Sequence, residues 1–324
     1  MVKRILPALL TLLFCASTAI AGGLGVPNQA GGLGFGNLTN FSGIRFNFSD
    51  RHVNHISGLN VTFGIPRFNE GAQYNGISLN LIGHASANSS GIILSGVGIG
   101  DGDITGIAMG GIGIGANNMK GIGLAGLGIG ADDLNGIFVG GLGIGANEVR
   151  GITVGGLGIG ADNITGIAVG GLGVGSDDIT GIALGGLGVG GDDITGLALG
   201  GLGVGGDNME GVMIGGLGVG GDDLTGLFLA GLGIGGNDLT GTFISGAIRA
   251  NEIDGAAISV TYLRSDHLRG FGTGIYTRTQ TTTGVTIGLF NSTENLRGVQ
   301  IGLLNHAGNN PAGLQWLPGI NAHF

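Results

Sequence analysis

Residues 166–195 read GIAVGGLGVGSDDIT GIALGGLGVGGDDIT, two nearly identical copies of a fifteen-residue unit. Glycines recur at this period from Gly91 to Gly241, and looser copies start at glycines on both sides of that range. We number each unit from its first glycine, so that Gly166 occupies position 1 and Thr180 position 15. A period of this length is typical of repeat proteins in which a single unit cannot bury its apolar surface alone.

The hydrophobic residues within a unit lie two apart, which is the spacing of a β-strand. Ile167 and Val169 form one such pair, and Leu172 and Val174 form the next. We expect these four side chains to point inward, together with Ile179 at position 14. A helix is disfavoured, because each of the five or six glycines in a unit would cost it about 0.5–1 kcal/mol relative to alanine.

Two corners are predicted in every unit. Gly170-Gly171 interrupt the alternation at a place that glycine passes without strain. Asp177-Asp178 follow the second strand and are typical turn residues. Two short strands and two turns per unit predict an all-β repeat protein, a β-solenoid with coils of about 15 residues.

An antiparallel outer-membrane β-barrel is the alternative fold. Each unit would then be one membrane-spanning strand with an Asp/Asn turn. The chain ends in Ile320, Ala322 and Phe324, an alternating tail that resembles the end of many bacterial outer-membrane barrels. Glycine on much of both faces and the scarcity of Tyr and Trp favour the solenoid.

The first residues predict export. Lys3 and Arg4 precede an apolar stretch at 5–14, and Ala19-Ile20-Ala21 form a small-x-small cleavage site. We expect cleavage after Ala21 and a mature protein at the bacterial cell surface, in the outer membrane or secreted. The single cysteine, Cys15, lies in the removed segment, so the mature chain can form no disulfide and no thiolate metal site.

Composition shifts divide the chain into five parts. They are a signal peptide at 1–21, a glycine-rich flexible lead at 22–42, polar capping repeats at 43–90, glycine-rich repeats at 91–250, and C-terminal repeats with a cap at 251–324.

Charge and composition exclude two classes of protein. With 42% hydrophobic and 10% charged residues, the chain should fold rather than remain disordered. Its net charge is −9, and residues 101–240 carry 15 acidic side chains against only Lys120 and Arg150. A nucleic-acid partner is excluded, because no basic stripe is present.

The sequence contains no recognisable catalytic or nucleotide-binding motif. The GLGVGG at 186–191 matches G-x-G-x-x-G, but it recurs with the repeat and no helix follows it. The histidines are scattered, and neither a P-loop nor G-x-S-x-G occurs. We therefore predict a protein that is not an enzyme and has no nucleotide or other cofactor.

Paired acidic residues at positions 12 and 13 allow two interpretations. They form turns, or their stacked carboxylates, which repel one another, bind Ca²⁺. Exchange of Asp for Asn in the same places favours the turn. The candidate calcium ligands are Asp132, Asp133, Asp177, Asp178, Asp192, Asp193, Asp222 and Asp223.

The glycine at position 8 is constant through the central units and is flanked by further glycines. If the neighbouring Leu and Val point inward, this strand presents a lane without side chains, through which a homo-oligomer could form. The alternative is that small residues merely keep a narrow coil from crowding. These glycines are Gly113, Gly128, Gly143, Gly158, Gly173, Gly188, Gly203 and Gly218.

Two asparagines near the C terminus hold equivalent places in successive units. Asn291 ends GLFN and Asn305 ends GLLN. We expect them to form a stacked amide ladder with a structural role.

The C-terminal stretch 282–324, TTGVTIGLFNSTENLRGVQIGLLNHAGNNPAGLQWLPGINAHF, resembles a set of uncharacterised bacterial exported proteins. These glycine-rich surface-repeat proteins carry GLxIGLxNxA repeats, a GGLGVG middle and an LPxxNxHF-like end. The resemblance covers essentially the whole mature chain, implies an exported or surface-associated repeat protein, and brings no known activity. The glycine pattern is also similar, more weakly, to the heads of trimeric autotransporter adhesins, although this chain lacks their helical stalk and anchor.

Three functions are consistent with the sequence. The first is a non-enzymatic exported scaffold for adhesion, spacing or self-assembly. The second is an integral outer-membrane barrel with a pore or structural role, and the third is a Ca²⁺-dependent extracellular repeat domain.

Overall fold

A computed structural model describes residues 22–65 and 67–324. The predicted signal peptide and its cleavage site after Ala21 lie outside the described residues. The chain divides into two compact units, Met1–Gly151 and Ile152–Phe324, which are called the N-terminal and C-terminal units below.

The described residues form strands and no helix. In the N-terminal unit the strands are β1 (Leu24–Asn28), β2 (Gly31–Phe35), β3 (Asn40–Asn47), β4 (His55–Thr62), β5 (Gln73–Asn80), β6 (Gly83–Ser95), β7 (Gly98–Gly110), β8 (Gly113–Ala125) and β9 (Gly128–Gly140). Strand β10 (Gly143–Gly155) contains the division between the units.

The remaining strands belong to the C-terminal unit. They are β11 (Gly158–Gly170), β12 (Gly173–Gly185), β13 (Gly188–Gly190), β14 (Asp193–Gly200), β15 (Gly203–Gly205), β16 (Asn208–Gly215), β17 (Gly218–Gly220), β18 (Asp223–Ala230), β19 (Gly233–Gly235), β20 (Asp238–Arg249), β21 (Glu252–Ala307) and β22 (Trp316–His323).

Successive coils pair in parallel and in register. In the N-terminal unit Ile104 lies opposite Met119, one repeat further on. In the C-terminal unit Ile179 of β12 lies opposite Ile194 of β14. The predicted β-solenoid with coils of about fifteen residues is therefore confirmed in each unit, and the antiparallel alternative is wrong because these neighbouring repeats run in the same direction.

The glycine at position 1 has a backbone conformation that other residues rarely adopt. Its φ is +127° at Gly106 and +125° at Gly196. A Cβ placed on Gly196 would lie 2.2 Å from the carbonyl oxygen of Gly181 in the preceding coil. Both the dihedral angle and the contact between coils exclude a side chain here, which explains why this glycine sets the period of the sequence.

The core is formed by positions 3, 5, 9 and 14, which corrects part of the predicted orientation. In the coil that starts at Gly166, Ala168, Val174 and Ile179 are buried. Ile167 and Val169 are only partly buried, and Leu172 is 49% exposed. The reason is strand alternation: counting in twos from buried Ile179 passes through position 1 to positions 3 and 5.

Small residues at positions 1, 3 and 5 make the coil narrow, and large residues are accommodated by their neighbours. Phe228 and Phe243, both at position 3, stack with ring centroids 5.3 Å apart. Gly123 leaves the space that Phe138 of the next coil fills, since a Cβ on Gly123 would lie 2.8 Å from Phe138 Cδ1. Packing between coils therefore determines which coil carries the aromatic ring.

The two corners differ in regularity. Bends occur at positions 6 and 7, as at Gly171 and Leu172, where a Cβ on Gly171 would lie 1.9 Å from the Gly156 carbonyl oxygen. The Asp/Asn corner is a bend at Asp192, whereas Asp177 and Asp178 lie within the continuous strand β12.

Antiparallel strands lie at the first and last coils. Residues 22–42, expected to be a flexible lead, instead contain β1 and β2, which form an antiparallel hairpin. Its turn is held by Asn28 Oδ1, which accepts hydrogen bonds from the backbone of Ala30 and Gly31 at 2.9 Å. In the C-terminal unit β22 pairs antiparallel with the end of β21, so that Ile320 lies opposite Ile301.

We predict that Gly196→Ala destabilises the protein by at least about 3 kcal/mol, because the methyl group would meet both an unfavourable φ and the Gly181 carbonyl oxygen. Gly175→Ala is the matched control, since a Cβ there meets no atom within 4 Å. Its effect should lie within about 1 kcal/mol of zero. Urea unfolding followed by circular dichroism measures both variants, and equal losses would contradict the role assigned to position 1.

Candidate functional site

Columns of aliphatic side chains cover one side of the coils. Residues at position 7 are about half exposed and stack one above another, because the coils are in register. In the N-terminal unit they include Ile112, Leu127 and Leu142. In the C-terminal unit they are Leu157, Leu172, Leu187, Leu202, Leu217 and Leu232.

Positions 2 and 4 add to the same outward surface. Ile137 and Val139 in the N-terminal unit and Ile152 and Val154 in the C-terminal unit are exposed. Contiguous exposed apolar surface of this kind is uncommon on monomeric proteins and marks an interaction surface.

Charged residues are confined to one stretch of each unit. Positions 1–10 of the units that start at Gly91 through Gly226 contain no Asp, Glu, Lys or Arg. The charges of these coils fall at positions 11–15. Each unit therefore has an uncharged outer face, formed by the exposed residues of positions 2, 4, 6, 7 and 10, and a charged face, formed by the exposed residues of positions 11–15. The two faces adjoin, because positions 13, 15, 2 and 4 alternate outward along one strand.

The glycines predicted to form a bare lane lie close to the backbone of the next coil. Gly113, Gly128, Gly143, Gly158, Gly173, Gly188, Gly203 and Gly218 are partly buried at the start of their strands. A Cβ on Gly158 or Gly188 would lie 3.2 or 3.3 Å from the carbonyl oxygen of the next coil, and one on Gly218 would lie 3.6 Å away. Stacking therefore leaves little room for a side chain at position 8 but does not exclude one.

At position 10 the surface lacks side chains, although no contact within the protein requires glycine there. A Cβ on Gly130, Gly160 or Gly175 would meet no atom within 4 Å. The Leu at position 7 points outward, contrary to prediction, whereas the Val or Ile at position 9 points inward. The outer face therefore alternates a column of leucines with a lane of glycines.

A groove lies in the uncharged face of the N-terminal unit. It has a volume of about 860 Å³ and follows positions 4–6 through successive coils, from Val61 to Val139. Its lining is aliphatic side chains and glycine backbone, and it includes no charged residue. A cavity of this size and polarity falls in the range of ligand and partner sites.

The acidic residues of positions 12 and 13 form exposed columns on the charged face. Asp132, Asp133, Asp177, Asp178, Asp192, Asp193, Asp222 and Asp223 are all exposed. Asp178 lies opposite Asp193 in the next coil. Where the next coil carries asparagine, its amide donates a hydrogen bond to the aspartate, as from Asn208 to Asp193 Oδ1 at 2.6 Å and from Asn237 to Asp222 Oδ1 at 2.9 Å.

Within residues 22–65 and 67–324, no group of three or more His, Cys, Asp or Glu side chains has the arrangement needed to hold a metal ion. Stacked carboxylates repel one another, and an asparagine in the next coil replaces this repulsion by a hydrogen bond.

A buried polar cluster in the N-terminal unit brings together serine, histidine and aspartate. Ser89 Oγ lies 3.0 Å from His84 Nε2, and Asp101 Oδ2 lies 3.5 Å from the same nitrogen. Ser78 Oγ lies 3.3 Å from Nδ1. A nucleophilic relay needs serine and acid on different ring nitrogens and access for a substrate, whereas all four side chains here are buried. The cluster is structural.

Burial lowers the pKa of His84, because the charged imidazolium would lose its hydration. The nearby carboxylates of Asp101 and Asp50 raise this pKa and offset part of the effect, whereas Arg45 lowers it further. The Tyr74 ring packs against His84 with centroids 4.6 Å apart, and burial raises the pKa of Tyr74 above its ordinary value. Both side chains are neutral at pH 7.

A charged pair lies beside this cluster. Arg45 is fully buried, forms an ion pair with Asp50 and hydrogen bonds to Asn60 Oδ1 at 2.8 Å. Thr62 Oγ1 hydrogen bonds to Asp50 Oδ2 at 3.2 Å. A buried ion pair is tolerated only when hydrogen bonds satisfy its remaining atoms, and these partners provide them.

The expected asparagine pair lies inside the last coils. Asn291 Nδ2 donates to Asn305 Oδ1 at 2.7 Å, and Asn305 Nδ2 donates to the Leu317 and Gly319 carbonyl oxygens at 3.2 and 3.1 Å. Thr277 Oγ1 donates to Asn291 Oδ1 at 2.6 Å. The amides form a buried chain of hydrogen bonds that ends on β22.

Sequence reasoning did not find the cluster around His84. Its members lie on the inward positions of successive N-terminal coils: Arg45, Asn60 and Ser78 all occupy position 3. Polar residues repeated at one position of the unit were the available signal, because equivalent positions stack.

The described part of the chain contains no helix that is long and apolar enough to span a bilayer. Comparison with protein-family models, with curated proteins and with solved structures finds no match to this chain.

The lowered pKa of His84 predicts a loss of stability in acid. Below about pH 6.5 the His84 imidazole binds a proton in the unfolded chain but not in the folded protein. Stability therefore falls as the pH decreases from there through the folded-state pKa. The slope from this one group is at most about 1.4 kcal/mol per pH unit. Urea unfolding between pH 8 and 5 should show a shallower pH dependence for His84→Gln, whereas His55→Gln, at an exposed position, should behave like wild type. An unchanged slope in His84→Gln would contradict this assignment.

The acidic columns predict stabilisation by salt. Carboxylates about 5 Å apart repel by roughly 1 kcal/mol in water, and about 1 M NaCl screens this repulsion. Replacing Asp177, Asp192 and Asp207 by Asn should reduce the rise in melting temperature with NaCl. Asp254→Asn is the control, because Asp254 lies 3.6 Å from Arg269 and its loss removes an attraction. Stabilisation by CaCl₂ beyond that of NaCl at equal ionic strength would favour calcium binding instead.

Proposed function

We propose that this protein is an exported, non-enzymatic structural solenoid that associates with further copies of itself through its uncharged outer face. The observation that carries the proposal is the outward orientation of the aliphatic residues at positions 2, 4 and 7, in coils whose charges are confined to positions 11–15.

The energetics favour covering this face. Apolar surface removed from water contributes about 25 cal/mol per Å². Because the position-7 leucines of the C-terminal unit are each about half exposed, every additional coil adds the same increment of unburied apolar surface. Covering such a repeated surface favours association in proportion to the number of coils in contact.

The glycines and acids have complementary roles in this proposal. Bare backbone at position 10, as at Gly160 and Gly175, permits close approach of a second surface. The acidic columns give the charged face a strong negative charge, which repels copies that approach through it. The two faces together select one mode of contact.

Export is supported by the N-terminal sequence. Lys3, Arg4, the apolar stretch at 5–14 and the small residues at Ala19 and Ala21 are typical of a cleaved signal peptide. A scaffold outside the cell must be stable without disulfides here, because the only cysteine is Cys15. Continuous coil-to-coil stacking supplies that stability.

The proposal predicts that the chain from Gly22 onward self-associates as its concentration rises. Leu187→Asp, Leu202→Asp and Leu217→Asp together should weaken association at least about 100-fold, because three charges would enter an apolar contact. Thr180→Asp, Thr195→Asp and Thr225→Asp add the same charge at exposed residues of position 15, next to the acidic columns and seven residues before the position-7 leucines, and should weaken association much less. Sedimentation velocity measures both sets, and circular dichroism checks their folding.

A wild-type protein that stays monomeric over the whole soluble concentration range would overturn the proposal. Equal weakening by the leucine and threonine sets would also overturn it, since the effect would then follow net charge rather than the face.

A further inference from the structure

The groove of the N-terminal unit has a defined floor, wall and end. Its floor is the backbone of Gly96, Gly111 and Gly126 at position 6, and its wall includes Met109 and Leu124 at position 4. The floor cannot be filled by side chains, because a Cβ on Gly111 would lie 2.0 Å from the Gly96 carbonyl oxygen. Stacking of the coils therefore fixes the depth of the groove.

Large side chains close one end of this groove. At position 6 of earlier coils, glycine is replaced by Phe63 and Leu81, which are part of the lining and are themselves exposed. A partner that fills the groove is stopped at these two residues, so the groove is closed at this end.

A ridge runs directly beside the groove. Position 7 follows the glycine floor in each coil, and its residues Val97, Ile112, Leu127 and Leu142 are 44–49% exposed. The ridge presents one aliphatic side chain per coil, at the roughly 4.8 Å spacing of neighbouring strands. The groove lining repeats at the same spacing, because it is built from the same coils.

We infer that the N-terminal unit forms a two-fold dimer in which the ridge of each copy lies in the groove of the other. The inference rests on the proposed self-association and names the surfaces that meet. A two-fold interface requires a patch that is complementary to itself. Adjacent ridge and groove, with equal spacing and no charge on either, meet that requirement.

The chemistry of the lining favours a second copy over a ligand with polar groups. The polar side chains in the lining are Thr62, Asn80 and Ser95. Ser95 Oγ lies 2.7 Å from the Gly98 carbonyl oxygen, Asn80 Nδ2 lies 3.3 Å from that of Leu94, and Thr62 is bonded to Asp50. These hydrogen-bonding groups are occupied inside the coils, which leaves an apolar groove that an aliphatic ridge fits.

Phe63 and Leu81, at the closed end of the groove, limit how the two copies can align. Since Phe63 and Leu81 stop the partner's ridge, the copies cannot slide past one another by whole coils in that direction. A single register is thereby selected, and the N-terminal unit forms a dimer rather than an open-ended assembly.

Charge substitutions test the two surfaces separately. Met109→Asp with Leu124→Asp alters the groove, and Ile112→Asp with Leu127→Asp alters the ridge. Each pair should weaken dimer formation at least about 100-fold. Thr105→Asp with Asn135→Asp adds the same charge at exposed residues that belong to neither the groove lining nor the ridge and should leave the dimer unchanged. Analytical ultracentrifugation measures association, and circular dichroism establishes that each variant folds.

Cross-linking tests the pairing itself. Residues 22–324 contain no cysteine, so single cysteines can be introduced in a ridge copy (Ile112→Cys or Leu127→Cys) and a mass-tagged groove copy (Leu94→Cys, Met109→Cys or Leu124→Cys). A short bis-maleimide should join ridge to groove in one register more efficiently than ridge to ridge.

The outcomes separate this inference from the proposed function. Association without ridge-to-groove cross-links, or with ridge-to-ridge links dominant, overturns the two-fold pairing and leaves the proposed scaffold in place. Absence of any association overturns both. Stoichiometric binding of a fluorescent fatty acid by a monomer, lost in the groove variant, would assign the groove to an alkyl ligand and also overturn the inference.

Discussion

At position 1 of each coil, glycine backbone lies against the carbonyl oxygen of the corresponding glycine one coil earlier. The φ of this residue stays between +121° and +140° from Gly91 to Gly241, and no side chain fits between the coils there. This contact depends on strands that run parallel and in register. It therefore determines both the fifteen-residue period and the direction of stacking.

The same constraint decides which residues face water. Position 1 lies on the inner side of the strand, so strand alternation carries positions 3 and 5 inward and positions 2 and 4 outward. The inner positions mostly hold Gly and Ala, and the coil is narrow. Aliphatic residues such as Ile152 and Val154 consequently lie outside, where they form a surface rather than a core.

Much of the fold follows from the sequence, because period and glycine content indicate stacked β coils directly. The sequence did not reveal which side of the strand faces inward, since hydrophobicity alone assigned Ile167, Val169 and Leu172 to the core. Counting in twos from Ile164 would have placed Ala168 and Gly170 there. The hairpin within 22–42 was missed because glycine content suggested a flexible segment, although Asn28 supplies the turn. His84 and Asp101 meet only because two coils stack in register, which the spacing of the two residues in the chain does not reveal.

The proposed self-association requires leucines that face outward in the monomer and are covered by another copy. Paramagnetic relaxation of methyl protons by a soluble gadolinium chelate, recorded in dilute and concentrated samples of the chain from Gly22 onward, tests both parts. We expect strong relaxation of Leu172 and Leu187 in the dilute sample, marked protection of both on concentration, and protection of Ile179 throughout. Leucines already protected in the dilute monomer, or equally relaxed at every concentration, would contradict the account.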